Sequence, residues 1–221
     1  MKLILLCAGF STRLGSITAT TPKHLLEIDG EILMDTFFKT MNLDFDEKIL
    51  ITNAKYFSQF RSWTIDKGVE VYSDGIESKE NRLGAVGDLL FIIDELQIDD
   101  DILVCAPDHI CDFDFNEFLG DTSSSGVAIE KDESKFQAGS CLTMDKDLIT
   151  RFEEKPEKAF SNLYGLPYYF IKKNDINFLR NVPVAERDNS GQIVKCLVEH
   201  TPVRGVMFHG KSVHITSKAD L

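Results

Sequence analysis

Gly9, Ser11, Thr12 and Arg13 follow directly on the apolar run Leu3-Ile4-Leu5-Leu6-Cys7-Ala8, and Lys23 stands ten residues beyond Arg13. The apolar run reads as a buried strand suited to the middle of a parallel sheet. A glycine turn after such a strand lets the backbone approach a ligand, and consecutive loop N–H groups form a concavity for anions. Arg13 adds a permanently charged planar fork, and Lys23 adds a point charge on the same loop. Two cations and a glycine turn suit a triphosphate. They also suit an ordinary turn with solvated cations, because short motifs of this kind recur by chance. Asp108, at the end of the apolar stretch 101–108, is placed either to hold a hard cation or to cap a turn. Glu154 and Lys155 read by default as a surface ion pair of little energetic consequence.

The wider pattern is more specific. The order Ala8-Gly9-x-x-Thr12-Arg13-Leu14, then Pro22-Lys23-x-Leu25-Leu26-x-Ile28-x-Gly30, resembles the signature of the sugar-1-phosphate nucleotidyltransferases. These are the pyrophosphorylases that make nucleoside-diphosphate sugars. The resemblance implies that the loop Ala8, Gly9, Phe10, Ser11 and Thr12 wraps a nucleoside triphosphate and that Arg13 and Lys23 hold its phosphates. Ser11 stands where many members have glycine, and a serine fits there with a negative or mildly strained φ.

Asp74, Asn81 and Gly84 belong to a segment that looks like the one meeting base and ribose in the family. The family's common glutamine is not evident there, so the base is left open. Asp108 takes the place of the family's magnesium-ligating aspartate, with Pro107 where a glycine is usual. His109 beside it reads as a loop residue, since magnesium prefers oxygen. Phe152-Glu153-Glu154-Lys155-Pro156 is a second family-like motif. It implies sugar and sugar-phosphate contacts from Glu154 and Lys155, with Gly139 upstream and Pro167 at another usual glycine. The segment 213–216 aligns with the element that carries the family's second metal ligand, and here that position is His214. Imidazole is a poor ligand for magnesium and an acceptable one for manganese or zinc. His214 is therefore either a metal ligand or a side chain packed beside the pocket.

Elements of alternating type must position these residues. Strands are expected at 48–52, 69–72, 101–108 and 126–130, with helices at 31–41, 56–65, from a cap at Asn81 to Leu96, and a short amphipathic one beginning with Asp112-Phe113-Asp114-Phe115. Gly84 and Gly87 weaken the start of the third helix by roughly 1 kcal/mol each against Ala, which points to close packing or close ligand approach. The second half reads as a hairpin of 139–143 with 148–152, a strand at 165–171, a helix at 190–200, and strands at 203–208 and 213–216. Strands separated by helices of this length make βαβ units. The expected fold is α/β, a Rossmann-like, mainly parallel sheet flanked by helices with a β-rich, sugar-binding second half. Right-handed crossovers then gather the loops after the strands on one edge.

A length of 221 residues with 43% apolar content fits one globular domain, which the resemblance divides into roughly 1–125 for nucleotide and 126–221 for sugar phosphate. A net charge of −12 argues against a nucleic-acid or anionic-membrane surface. The five cysteines, Cys7, Cys105, Cys111, Cys141 and Cys196, lack metal-type spacing and suit a reducing cytoplasm. The run at 2–10 has no small-residue cleavage pattern, so it is not read as a signal peptide. No stretch approaches the ~20 apolar residues of a membrane span. The resemblance runs essentially to Leu221, and no acyltransferase β-helix is expected.

The expected activity is transfer of a nucleoside monophosphate from a nucleoside triphosphate to a sugar 1-phosphate, with Mg²⁺, or Mn²⁺ in its place, as cofactor. A homodimer is compatible with it. The alternatives are a cytidylyltransferase for a non-sugar phosphate such as phosphocholine, and a nucleotide-sugar-binding relative with weak turnover. A dinucleotide oxidoreductase is disfavoured, because the Gly-x-Gly-x-x-Gly turn is missing after the first strand.

Overall fold

The computed structural model describes residues 1–41, 43–112, 114–132, 139–210 and 212–215. In chain order the strands are β1 (Lys2–Leu6), β2 (Glu27–Ile28), β3 (Glu31–Ile32), β4 (Glu47–Thr52), β5 (Glu70–Ser73), β6 (Ile102–Cys105), β7 (His109–Cys111), β8 (Ser125–Lys131), β9 (Ser140–Asp145), β10 (Leu148–Glu154), β11 (Leu163–Ile171), β12 (Val203–Met207) and β13 (Ser212–His214). The helices are α1 (Leu33–Thr40), α2 (Phe57–Trp63), α3 (Ala85–Glu95), α4 (Phe115–Phe118) and α5 (Gly191–His200).

Nine strands form one sheet in the order β5-β4-β1-β6-β11-β8-β12-β10-β9. β5, β4, β1 and β6 run parallel, so the loops after them open on one edge. β11 then pairs antiparallel with β6, Tyr168 opposite Cys105, and the direction reverses. The parallel arrangement holds for the first part of the sheet, and the sheet as a whole is mixed. In β11 the register with β8 shifts between Gly165 and Tyr169, around Pro167, which has no N–H to give a ladder.

Period-two alternation in β1 sends Ile4 to one face and Leu3 and Leu5 to the other, all fully buried. On the Ile4 side the core is closed by α3 and α5, through residues such as Val86, Leu89, Ile193 and Leu197. On the opposite side α1, α2 and α4 contribute Phe37, Phe60, Phe115 and Phe118. Parallel strands covered on both faces explain why the first half reads as unbroken apolar runs.

Several expected boundaries shift. Asn81 does not cap the third helix; it ends a short 3₁₀ turn, and Gly84 occupies the cap position. The short helix begins at Phe115, capped by Asp114, whose carboxylate accepts from Asn116 N–H at 2.9 Å. His109 is not a loop residue; it starts β7 and is 1% exposed. Phe113 and Thr216 lie outside the described residues.

Two side chains beneath the first loop fasten it to the sheet. Asn53, just past β4, donates from Nδ2 to the carbonyl of Ala8 at 2.8 Å and accepts Tyr56 N–H at 3.1 Å. The buried Tyr56 hydroxyl donates to the Thr18 carbonyl at 2.7 Å. Asn53→Ala would remove the side-chain donor to the buried Ala8 carbonyl and leave Tyr56 N–H with only the Asn53 backbone carbonyl at 3.3 Å. It should lower stability by about 2 kcal/mol, read from the urea midpoint at unchanged slope. An unchanged midpoint would show that these bonds carry nothing.

Candidate active site

One cleft of about 470 Å³ opens at the carboxyl edge of the parallel strands. Its lining includes Ala8, Gly9, Phe10, Ser11, Thr12, Arg13, Lys23, Gly84, Asp108, Gly139, Glu154, Lys155 and His214. Residues separated by more than two hundred positions in sequence, Ala8 and His214, therefore share one site. Asp74 and Asn81 do not line it.

The first wall is the loop after β1. Ser11 adopts φ 51°, ψ 34°, the left-handed region, in place of the negative φ its side chain favours. There its carbonyl accepts both Leu14 N–H at 3.1 Å and Thr18 Oγ1 at 3.0 Å, which curls the chain into a 3₁₀ segment. Arg13 is exposed on the cleft side. Lys79 Nζ donates to Thr12 Oγ1 at 3.3 Å and adds a cation that the motif did not indicate.

The floor is built on Lys23 and Asp108, which form an ion pair with side chains only 18% and 12% exposed. His214 Nε2 stands 3.4 Å from Asp108 Oδ2. The His214 ring stacks on His109 with centroids 4.9 Å apart, in the register that pairs β13 with β7. Burial alone would push the Asp108 carboxyl up; the Lys23 charge and a hydrogen bond from His214 outweigh it and hold the carboxyl well below the usual range. His24, buried beside this pair, is driven down to about 3 by desolvation and the Lys23 charge, so its ring is neutral.

The second wall is the end of β10. Glu154 is half-buried with its side chain 9% exposed, and desolvation raises its carboxyl against the lowering effect of Lys155. Lys155 has φ 49°, a second left-handed residue in the site, with its N–H bonded to the Gly139 carbonyl at 2.5 Å. Its Nζ hydrogen-bonds Asn189 Oδ1. Gly139 admits no side chain, because a Cβ there would fall 2.0 Å from the Tyr164 ring.

The third wall is the start of α3. Gly84 has φ 79°, and a Cβ on it would lie 2.6 Å from the Arg187 carbonyl oxygen. That carbonyl accepts Val86 N–H at 3.0 Å, so the segment before α5 is pinned against α3. Arg82 reinforces the seam with a bidentate pair to Asp188, at 2.5 and 2.9 Å. Asp88, in the first turn of α3, is buried in the cleft lining. Burial, then the charge and hydrogen bond of Asp74, push its carboxyl up to about 8.

The motifs did not reveal Lys79, Arg82, Asp88, Tyr164, Asp188 and Asn189. Asp88 had one legible sign, a lone carboxyl within the apolar run Val86 to Ile93. Lys79 and Arg82 lie inside the family-like segment 74–84, where the motif does not single them out, and Tyr164, Asp188 and Asn189 lie in segments brought near only by folding.

With this geometry in view, the sequence profile of the nucleotidyl transferase family matches residues 2–211, and the chain belongs to that family. A UTP–glucose-1-phosphate uridylyltransferase from Haloferax volcanii is 30% identical over 183 residues, 76% of this chain and 71% of that protein. A mannose-1-phosphate guanyltransferase from Debaryomyces hansenii is 28% identical over 84% of this chain and 53% of its own length. The chain spans about half the length of the first curated relatives it matches. Among solved structures, the inositol-1-phosphate CTP transferase of T. maritima has the same fold, with a TM-score of 0.80 at 18% identity over 100% of this chain and 91% of that one. No helix among the described residues is long and apolar enough to cross a membrane.

The Asp88 carboxyl gives a signed pH dependence. Its ordinary value is 3.8, so between about pH 4 and pH 8 the folded protein holds a proton that the unfolded chain has released. Stability from this group is complete below pH 4 and is lost as pH rises through about 8. Asp88→Asn should therefore gain on the wild type across that window, by up to ~1.4 kcal/mol per pH unit, and level off above it. Denaturant midpoints of both proteins at pH 5 to 9 measure this. A difference independent of pH would contradict it.

Proposed function

We propose that this chain transfers a nucleoside monophosphate from a nucleoside triphosphate to a sugar 1-phosphate, releasing pyrophosphate. The observation that carries the reading is one cleft holding a cationic loop with Lys23 on one side and a Lys155–Glu154 pair on another. The relatives named for mannose 1-phosphate and glucose 1-phosphate support the acceptor class. Residues up to about 125 would serve the nucleotide and 126–221 the sugar phosphate, within one domain. The five cysteines are buried and unbridged, in keeping with a reducing, cytoplasmic setting.

The chemistry asks little of protein acids and bases. A sugar 1-phosphate is already an anionic nucleophile at neutral pH. Its oxygen attacks the α-phosphorus in line, and the bond from that phosphorus to the bridging oxygen breaks as pyrophosphate leaves with the electron pair. The protein contributes positioning and charge. Arg13 neutralises the leaving pyrophosphate, and Lys23 bears on the α-phosphoryl group. Lys155 draws in the sugar phosphate, while Glu154 and the backbone at Gly139 meet the sugar hydroxyls.

A hard divalent cation needs an ionised oxygen donor, and magnesium beside phosphates uses one or two carboxylates. Asp108 is held ionised at the cleft floor, so the residues present fit Mg²⁺. Asp108 would hold it together with substrate oxygens, and the ion supplies charge neutralisation along the triphosphate. His214, whose Nε2 lies 3.4 Å from the Asp108 Oδ2 that Lys23 also contacts, would suit Mn²⁺ better than Mg²⁺.

Pyrophosphate release, followed with a panel of nucleoside triphosphates and sugar 1-phosphates, tests the assignment. Asp108→Asn, which keeps the shape of the side chain, should lower kcat/KM by about 10²–10³. Lys155→Ala should raise KM for the sugar phosphate about tenfold while leaving that for the nucleotide near its wild-type value. Near-normal rates in both variants would overturn the proposal.

A further inference from the structure

The segment 187–191, which leads into α5, touches more than one wall of the cleft. The Arg187 carbonyl accepts Val86 N–H at 3.0 Å, and the Asp188 carboxylate accepts two N–H groups of Arg82, so the backbone here is fastened to the α3 wall. Ser190 Oγ and the Tyr169 hydroxyl are 3.0 Å apart, which ties the segment to the sheet as well. Gly191 leaves no room for a side chain, because a Cβ there would run into the Glu154 carboxylate. Between these anchors stands Asn189, half-buried in the cleft lining, and its Oδ1 accepts a hydrogen bond from Lys155 Nζ.

An ammonium only donates, so the amide must present its oxygen to Lys155. A neutral acceptor fixes the head of a flexible four-carbon side chain without cancelling its charge. The adjacent residue does the opposite: Asp188 meets Arg82 with a full carboxylate, and that cation is neutralised. Among the described residues, the carboxylate within 4 Å of Lys155 Nζ is that of Glu154, whose Oε1 at 3.9 Å is outside hydrogen-bond range. One of the three ammonium N–H groups is used on Asn189, and two are left for an incoming anion. The root of the lysine is held too, since its own N–H is bonded to the Gly139 carbonyl.

We infer that Asn189 is a positioning residue, which holds Lys155 Nζ in the cleft, still charged, for the phosphate of the sugar 1-phosphate. This rests on the nucleotidyl-transfer reading above, in which Lys155 draws in the acceptor, and goes beyond it by naming the group that aims the lysine. Ordering a long side chain at the moment of binding weakens a complex, and an amine already held in place avoids that loss. Because Arg187 and Asp188 are fastened to α3, the same segment also fixes where the lysine head stands relative to that wall.

Initial rates of pyrophosphate release by the full chain test this, with mannose 1-phosphate, glucose 1-phosphate and the other acceptors of the panel. Asn189→Ala should raise KM for the sugar phosphate about fivefold, while kcat and the triphosphate KM stay within about twofold. Asn189→Asp keeps the size and the hydrogen bond but sets a negative charge on the lysine, so it should raise the same KM by about tenfold or more. A merely structural role would give the reverse order, with Asp the milder change. On a Lys155→Ala background, Asn189→Ala should add less than about twofold. A wild-type sugar-phosphate KM in Asn189→Asp, beside a raised one in Lys155→Ala, would overturn the inference. So would full additivity of the two alanine variants, or an equal rise in the triphosphate KM. An unchanged KM in Lys155→Ala, or a wild type that turns over no pair of the panel, would remove the reading of the cleft and this inference with it.

Discussion

The contact between Lys23 and Asp108 is the constraint around which the site is arranged. Each side chain is mostly withdrawn from water, and neither charge would be tolerated there alone, because an isolated buried ion costs several kcal/mol. Together they neutralise one another and tie the loop after β1 to the end of β6. A buried pair of this kind is weak evidence for stability and better evidence for poise. The lysine has one stronger attraction available, a phosphoryl group, and the carboxylate has another, a divalent cation. On the proposed reaction a metal-bound triphosphate would offer both at once and would divide the pair between two partners. His24 and His214 frame this exchange, one neutral beneath it and the other beside the carboxylate.

Around that floor the backbone is held in conformations that the free chain would avoid. Ser11 and Lys155 both occupy the left-handed region, each at the rim of the cleft and each at the cost of roughly 1–2 kcal/mol. Both are over-determined by neighbours: Ser11 through the bonds to its carbonyl, Lys155 through the Gly139 carbonyl. Strain of this sort persists where surrounding contacts fix it. Asn53 and Tyr56 support the loop from below, so its curvature is set before any ligand arrives.

The fold was legible where apolar period and glycine turns agree, in the parallel half and in the hairpin turning at Asp145 to Asp147. It was less legible where direction reverses. Nothing in the sequence of β11 says that it pairs antiparallel with β6, since an apolar run buried on both faces reads alike in either direction. Helix starts slipped for a related reason. Asn81 has the chemistry of a cap, yet the seam between Gly84 and Arg187 decides where α3 begins. Residues of the site in contiguous motifs were readable because chemistry and spacing coincide there. Asp88 and the Arg82–Asp188 pair were not, because their partners come from other segments, and a lone acid among apolar residues discloses its role only through what surrounds it.

The most direct test of the central exchange is a crystal structure with a non-hydrolysable nucleoside triphosphate and Mg²⁺. The account predicts that Lys23 Nζ parts from Asp108 and lies about 3 Å from a phosphoryl oxygen, with Arg13 turned onto the terminal phosphates. A triphosphate bound elsewhere while Lys23 and Asp108 remain joined would contradict it.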